Sequence, residues 1–220
     1  MSAPAWERSL EVHTAAQTHA LAAALGAVLE TGDLLVLTGE LGAGKTTFTQ
    51  GLGEGLGVRA GIISPTFVLV RIHPNLPGGP RPGGPDLVHV DAYRLESAAE
   101  IDDIDLENTM DSAVTVVEWG RGRVEHLSDS RLEVELHRTL GGAAASAETP
   151  ETPETPETPA ETGASPVLDF DTDDDDEPRT VVIRGFGPRW AEAPTLPGAE
   201  TMPGAGPLPG TTPQTPERNP

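Results

Sequence analysis

Apolar residues fall along this chain in short runs separated by turn formers, and the spacing within the runs changes from segment to segment. Between Ala15 and Glu30 the residues Leu21, Leu25, Val28 and Leu29 recur at helical spacing. Thr14 stands at the N-cap position with Gln17 three residues on, and Gly32 follows the stripe, so a helix is predicted here. Asp33-Leu-Leu-Val-Leu-Thr38 is apolar almost throughout, the pattern of a strand buried on both faces. It runs directly into Gly39-Glu-Leu-Gly-Ala-Gly-Lys-Thr46, after which Thr47 to Leu56 continues as a helix. Phe67 to His73, Asp86 to Asp91 and Ala113 to Glu118 are further short strands, the last two ending on an acid. Ser97 to Met110 is acidic and roughly helical, and Arg131 to His137 alternates polar with apolar as a half-exposed strand does. Strands alternating with helices predict an α/β sheet with helices on its faces.

The pattern stops near residue 140. Most of the chain's 22 prolines lie beyond it, Thr-Pro-Glu repeats from Thr149 to Glu157, and acids crowd Asp169 to Glu177. Such a stretch has too little apolar surface to offset the entropy of ordering it, so a disordered insertion is expected over 141–178. Arg179-Thr-Val-Val-Ile-Arg184 is again a good strand. It is expected to form a C-terminal antiparallel hairpin with 131–137, because a long insertion adds loop-closure entropy only slowly. The expected organisation is a core over 1–140, its last strand within 179–190, and a disordered tail over 191–220. The Pro/Gly-rich stretch Pro74 to Pro85 is read as a loop.

Composition removes several function classes. The chain has no cysteine, which excludes thiol nucleophiles, disulfide frameworks and cysteine metal sites. No apolar run is long enough to span a bilayer, and the N-terminus lacks the basic-then-apolar order of a signal peptide, so a cytoplasmic location is expected. A formal net charge of −21 argues against holding DNA or RNA through bulk electrostatics. Among 14 basic residues the only lysine is Lys45, a sign that an ammonium is needed at that point.

Gly39-x-x-x-x-Gly44-Lys45-Thr46, with a strand before it and a helix after, fits a phosphate-binding loop. Gly42 and Gly44 let backbone N–H groups turn inward on an anion, the helix start adds its dipole, and Lys45 reaches the outer phosphates. The Thr46 hydroxyl is a ligand type suited to Mg²⁺. Turnover also needs carboxylates, and Asp91 and Glu118 both end strands where ligands bind in open α/β sheets. From the residues alone, either could hold the metal. Thr66, in Ser64-Pro-Thr66-Phe, lies where a switch segment could sense the outer phosphate. Tyr93 and Arg94 could line the site or a partner surface, Trp119 reads as core, and the six histidines show no metal-ligand spacing. The predicted fold is therefore a P-loop NTPase-type, mostly parallel sheet with flanking helices.

GELGAGKTT, SPTF, HVDAYRL and VEWG, in this order, resemble the bacterial TsaE family over about residues 10–137 and the strand near 179–190. The resemblance implies a small ATPase that works with a TsaD–TsaB complex to place a threonylcarbamoyl group on the adenosine next to the tRNA anticodon, touching tRNA only indirectly. It implies that Gly42, Ala43, Gly44, Lys45, Thr46 and Thr47 hold the ATP phosphates, that Thr46 and Glu118 hold Mg²⁺, and that Asp91 is required for turnover. It also places residues around Thr14 by the adenine and Arg179 near the nucleotide. Slow hydrolysis by the isolated chain is expected, since the core motifs contain no evident arginine finger. Two other functions use the same loop. A small-molecule kinase needs an arginine-bearing lid, yet only Arg94 lies between Asp91 and Glu118. A nucleotide-dependent interaction module that never hydrolyses ATP has no need of the two strand-end acids.

Overall fold

The computed structural model describes residues 3–95, 97–138 and 178–196. The insertion expected over 141–178 and the tail expected over 191–220 fall outside these residues, apart from Pro178 and the stretch 191–196. That short stretch packs rather than trails, with Leu196 buried against the core and Arg8 Nη1 donating to the Pro194 carbonyl at 3.1 Å.

One seven-stranded sheet organises the described residues, built from β1 (Trp6–Val12), β2 (Leu34–Gly39), β3 (Val70–His73), β4 (Asp86–Asp91), β5 (Ala113–Glu118), β6 (Arg131–Arg138) and β7 (Arg179–Phe186). Their spatial order is β1-β7-β6-β2-β5-β4-β3. The four central strands β6, β2, β5 and β4 run parallel. The outer pairings β1 with β7, β7 with β6, and β3 with β4 are antiparallel. The sheet is thus mixed rather than mostly parallel.

Two of those departures come from strands that the hydrophobic pattern hid, in β1, or set too early, in β3. β1 buries only Leu10 and Val12 fully, so its sequence carries little periodic signal. β3 begins three residues later than expected, because Thr66 to Val68 form a turn and Leu69 takes a left-handed φ of 65°. The acidic stretch after Ser97 forms two short helices, α3 (Ala98–Asp102) and α4 (Glu107–Met110), interrupted by Asp105 at φ 56°.

β2 shows why its run is apolar throughout. Leu35 and Leu37 face a core shared with α1 (Ala15–Gly26) and α2 (Lys45–Leu56), while Leu34 and Val36 face one shared with α3 and α4. Alternate residues of one strand therefore fill two hydrophobic layers. α1 and α2 approach so closely that glycine is required between them. A Cβ on Gly51 would lie 2.3 Å from the His19 carbonyl oxygen, and one on Gly55 would lie 2.1 Å from that of Ala23. α1 starts at Thr14, whose Oγ1 accepts from Gln17 N at 3.1 Å, while Gln17 Oε1 accepts from His13 N at 2.7 Å.

Candidate functional site

The C-terminal end of β2 delivers the chain into the Gly39–Thr46 loop, and α2 leaves from it. Gly44 forms the N-cap of α2 at φ 96° with no side-chain cap, and Gly42 turns at φ 78°. Both values lie in the left-handed region that glycine enters without strain. The first N–H groups of a helix have no acceptor within it, so this start is a natural anion cradle.

Lys45 is buried, and its ammonium folds back over the loop. Nζ donates to the carbonyls of Gly39 and Glu40, each at 2.9 Å, and lies 4.1 Å from the centre of the Trp119 ring. Burial pushes this lysine below its usual pKa, while the nearby carboxylates of Glu118 and Asp91 pull the other way. A cation held by carbonyls and a ring face, with two carboxylates close by, is poised to exchange those contacts for phosphate oxygens.

The two strand-end acids sit side by side, since Asp91 and Glu118 are partners in the β4–β5 register. Both are nearly inaccessible. Asp91 Oδ2 accepts from Thr66 Oγ1 at 2.5 Å and from Ser64 Oγ at 3.1 Å, and Oδ1 accepts from Tyr93 N at 3.0 Å. Thr66 thus meets the acid itself, and Ser64 joins it. Glu118 Oε1 is 2.9 Å from His89 Nε2. Trp119 follows at a left-handed φ of 62°, its N–H donating to Leu37 O at 3.0 Å, and its ring meets Tyr93 edge-on at 6.1 Å. A non-glycine residue in that conformation is strained, and such strain gathers where chemistry is done. Arg123 Nη1 ties the two strand ends together by donating to the carbonyls of Ala92 and Trp119.

Across the sheet, Val12, Arg179 and Arg138 stand opposite one another on β1, β7 and β6. This edge abuts the loop. A Cβ on Gly42 would lie 3.5 Å from Arg138 Nη1, and one on Gly44 would lie 3.7 Å from Arg179 Nε. Arg179 is therefore beside the loop, and Thr14, two residues past Val12, starts α1 from the same edge with its hydroxyl engaged as a cap. Among the described residues, no three His, Asp or Glu side chains cluster to hold a metal ion, and no helix is long and apolar enough to cross a membrane. Mg²⁺ does not need such a cluster when phosphate oxygens and water complete its shell, and Thr46 with Glu118 offers the hard oxygen donors it takes.

The sequence profile described as "Threonylcarbamoyl adenosine biosynthesis protein TsaE" matches residues 12–143, a span that contains the loop, both acids and the Ser64–Asp91 contact. The chain belongs to the TsaE family. It is 44% identical over 170 residues to the tRNA threonylcarbamoyladenosine biosynthesis protein TsaE of Streptomyces coelicolor, covering 77% of this chain and 90% of that one. It is 38% identical over 123 residues to the protein of the same name in Bacillus subtilis, covering 56% and 72%. The crystal structure of Bacillus subtilis YdiB shares the fold at a TM-score of 0.53 and 24% identity, covering 84% of this chain and 89% of that one. The TsaE resemblance carried by the four motifs is thereby borne out. Motif reading nevertheless passed over His89, which looked like one polar residue in an apolar strand, and took Trp119 for core. It also missed Arg138, whose place beside the loop depends on strand register.

Proposed function

We propose that this TsaE-family chain is a Mg²⁺-dependent ATP-binding and hydrolysing protein acting in tRNA threonylcarbamoyladenosine biosynthesis, with a TsaD–TsaB-type complex as its partner and no direct hold on tRNA. The observation that carries the reading is the convergence of Lys45, Asp91 and Glu118 on the loop at 39–46. Gly42, Ala43, Gly44, Lys45, Thr46 and Thr47 bind the phosphates through N–H groups, the ammonium and hydroxyls. Thr46 and Glu118 hold Mg²⁺, which offsets charge on the outer phosphates. Asp91, oriented by Thr66, Ser64 and Tyr93 N, positions the attacking water and takes its proton. Arg179 and Arg138 add positive charge on the far side of the loop.

Two features favour slow turnover without the partner. Asp91 has both oxygens engaged, and Phe67 beside Thr66 is 87% exposed, a segment a partner could rearrange. ATP- and ADP-bound states that differ in affinity for the complex would then reset it between rounds. The test is ATP hydrolysis by the full chain, alone and with its host's TsaD–TsaB complex, with Lys45→Ala as control. Stimulation by the complex that disappears in the variant is expected. Turnover indifferent to the complex, or none in either condition, would refute the partner-gated ATPase.

A further inference from the structure

We propose that His89 is a positioning residue: it clamps one oxygen of Glu118 so that the other is held ready for the nucleotide-bound cation. The proposal rests on the reading that Glu118 holds Mg²⁺. His89 lies in β4 opposite Val116 of β5, two residues before Asp91 and so on the same face of the strand. Its side chain is fully buried, and Nε2 meets Glu118 Oε1 at 2.9 Å. Oε2 has no hydrogen-bond partner among the described residues.

The ring's other nitrogen fixes the direction of that hydrogen bond. Nδ1 is buried and has no partner among the described residues. A proton on Nδ1 would be a stranded donor, and Nε2 and Oε1 would then face each other as two acceptors. With the proton on Nε2, the hydrogen bond to the carboxylate forms and only a lone pair is left unmatched. The tautomer assigned from this network therefore makes His89 a donor to Glu118.

Packing alone does not call for an imidazole here. β4 is otherwise apolar at Leu87, Val88 and Val90, all buried, and an aliphatic side chain would leave no orphaned nitrogen. His73 lies beyond, with ring centres 6.3 Å apart and its own Nε2 buried without a partner. Partners that orient a metal-bearing group matter about 10–100-fold in metal affinity.

The full chain tests this in two ways. In the nucleotide-free wild type, nitrogen-15 chemical shifts of the His89 ring are expected to report a proton on Nε2, and a ring without a proton on Nε2 would overturn the proposal. Separately, ATP affinity is measured with Mg²⁺ and with EDTA, and the ratio isolates the contribution of the metal. His89→Leu is expected to cut that ratio about tenfold or more while leaving metal-free affinity within about threefold. His89→Gln, whose amide N–H can reach Oε1, is expected to restore it. His89→Asn, too short to reach, is expected to behave like His89→Leu. An unchanged ratio in folded His89→Leu, or equal ratios for the Gln and Asn variants, refutes the positioning role alone. A wild type whose ATP affinity ignores Mg²⁺ refutes the Glu118 metal reading, and this proposal with it.

Discussion

Replacing Gly55 by alanine sets two effects of opposite sign against each other. Within the 12-residue helix α2, alanine is intrinsically favoured over glycine by about 1 kcal/mol. Against this, the new Cβ would sit 2.1 Å from the carbonyl oxygen of Ala23 and 2.8 Å from the amide nitrogen of Ala27. Both are backbone atoms of α1 or its cap, so no side-chain rotation relieves the contact. A normal carbon–oxygen separation requires the two helices to part by roughly 1 Å, and a gap of that size forfeits a quarter to a half of the dispersion attraction at each contact across the interface. That interface includes Leu21, Leu25, Phe48 and Leu52, all fully buried. Overpacking typically costs about 1–3 kcal/mol, and a backbone clash belongs at the upper end. The net expectation is a loss of about 2 kcal/mol, or about 4–8 °C in Tm for a domain of this size. Gly53→Ala provides the comparison. Its Cβ meets Ile62 Cδ1 at 2.3 Å, the end of a side chain that can turn away, so the change should stay within about 1 kcal/mol. Thermal unfolding followed by circular dichroism measures both. A Gly55→Ala protein as stable as wild type, or no less stable than Gly53→Ala, would refute the reasoning.

Asp91→Ala should lower the ATP hydrolysis rate about 100-fold or more while leaving nucleotide affinity within about threefold, measured by phosphate release and by titration. Glu135 accepts from Arg121 at 3.1 and 3.0 Å and from Arg184 at 2.7 Å, and these guanidiniums, Arg121 foremost, hold its carboxyl at about 2 against partial burial. A depressed carboxyl contributes stability above its unfolded pKa and loses it as pH falls, so wild type should lose more stability than Glu135→Gln between pH values near 4.5 and near 2. Parallel losses in denaturant titrations at the two ends of that window would contradict the assignment. Arg123→Leu should destabilise the protein by about 1–3 kcal/mol, since it leaves the Trp119 carbonyl without its donor and the Ala92 carbonyl with Leu95 N alone, and chemical denaturation reads the loss.

The central strands were legible because burial on both faces writes itself as a mostly apolar run, as in Leu34 to Leu37 and, with only Thr115 interrupting, Val114 to Val117. The acids that close β4 and β5 were legible for the same reason, each being the first charged residue at the end of such a run. β1 was not legible: its neighbour is β7, far along the chain, and Glu7, Arg8 and Ser9 are exposed, so its sequence looks like a polar segment. The left-handed residues Leu69 and Trp119 were invisible too, since nothing local distinguishes them from strand or core. At the site, residue types pointed to Lys45, Thr46, Asp91 and Glu118. The contacts made by His89 and Arg138 come from register and strand order, and that of Ser64 from the loop before β3 folding onto β4, none of which a short motif encodes.

The position of β7 has a consequence for synthesis. β6 docks on β2 beside the loop at 39–46, but its other edge is covered only when β7, some forty residues later, has been made. At about 5–20 residues per second, the nascent chain carries β6 with an open row of N–H and C=O groups for several seconds. The residues emerging in that interval are rich in proline and carboxylates, side chains poorly suited to pair with that edge or to recruit a neighbouring chain to it. Arg179, the first residue of the covering strand, also lies beside Gly44, so the strand that closes this sheet edge completes the surroundings of the glycine-rich loop as well.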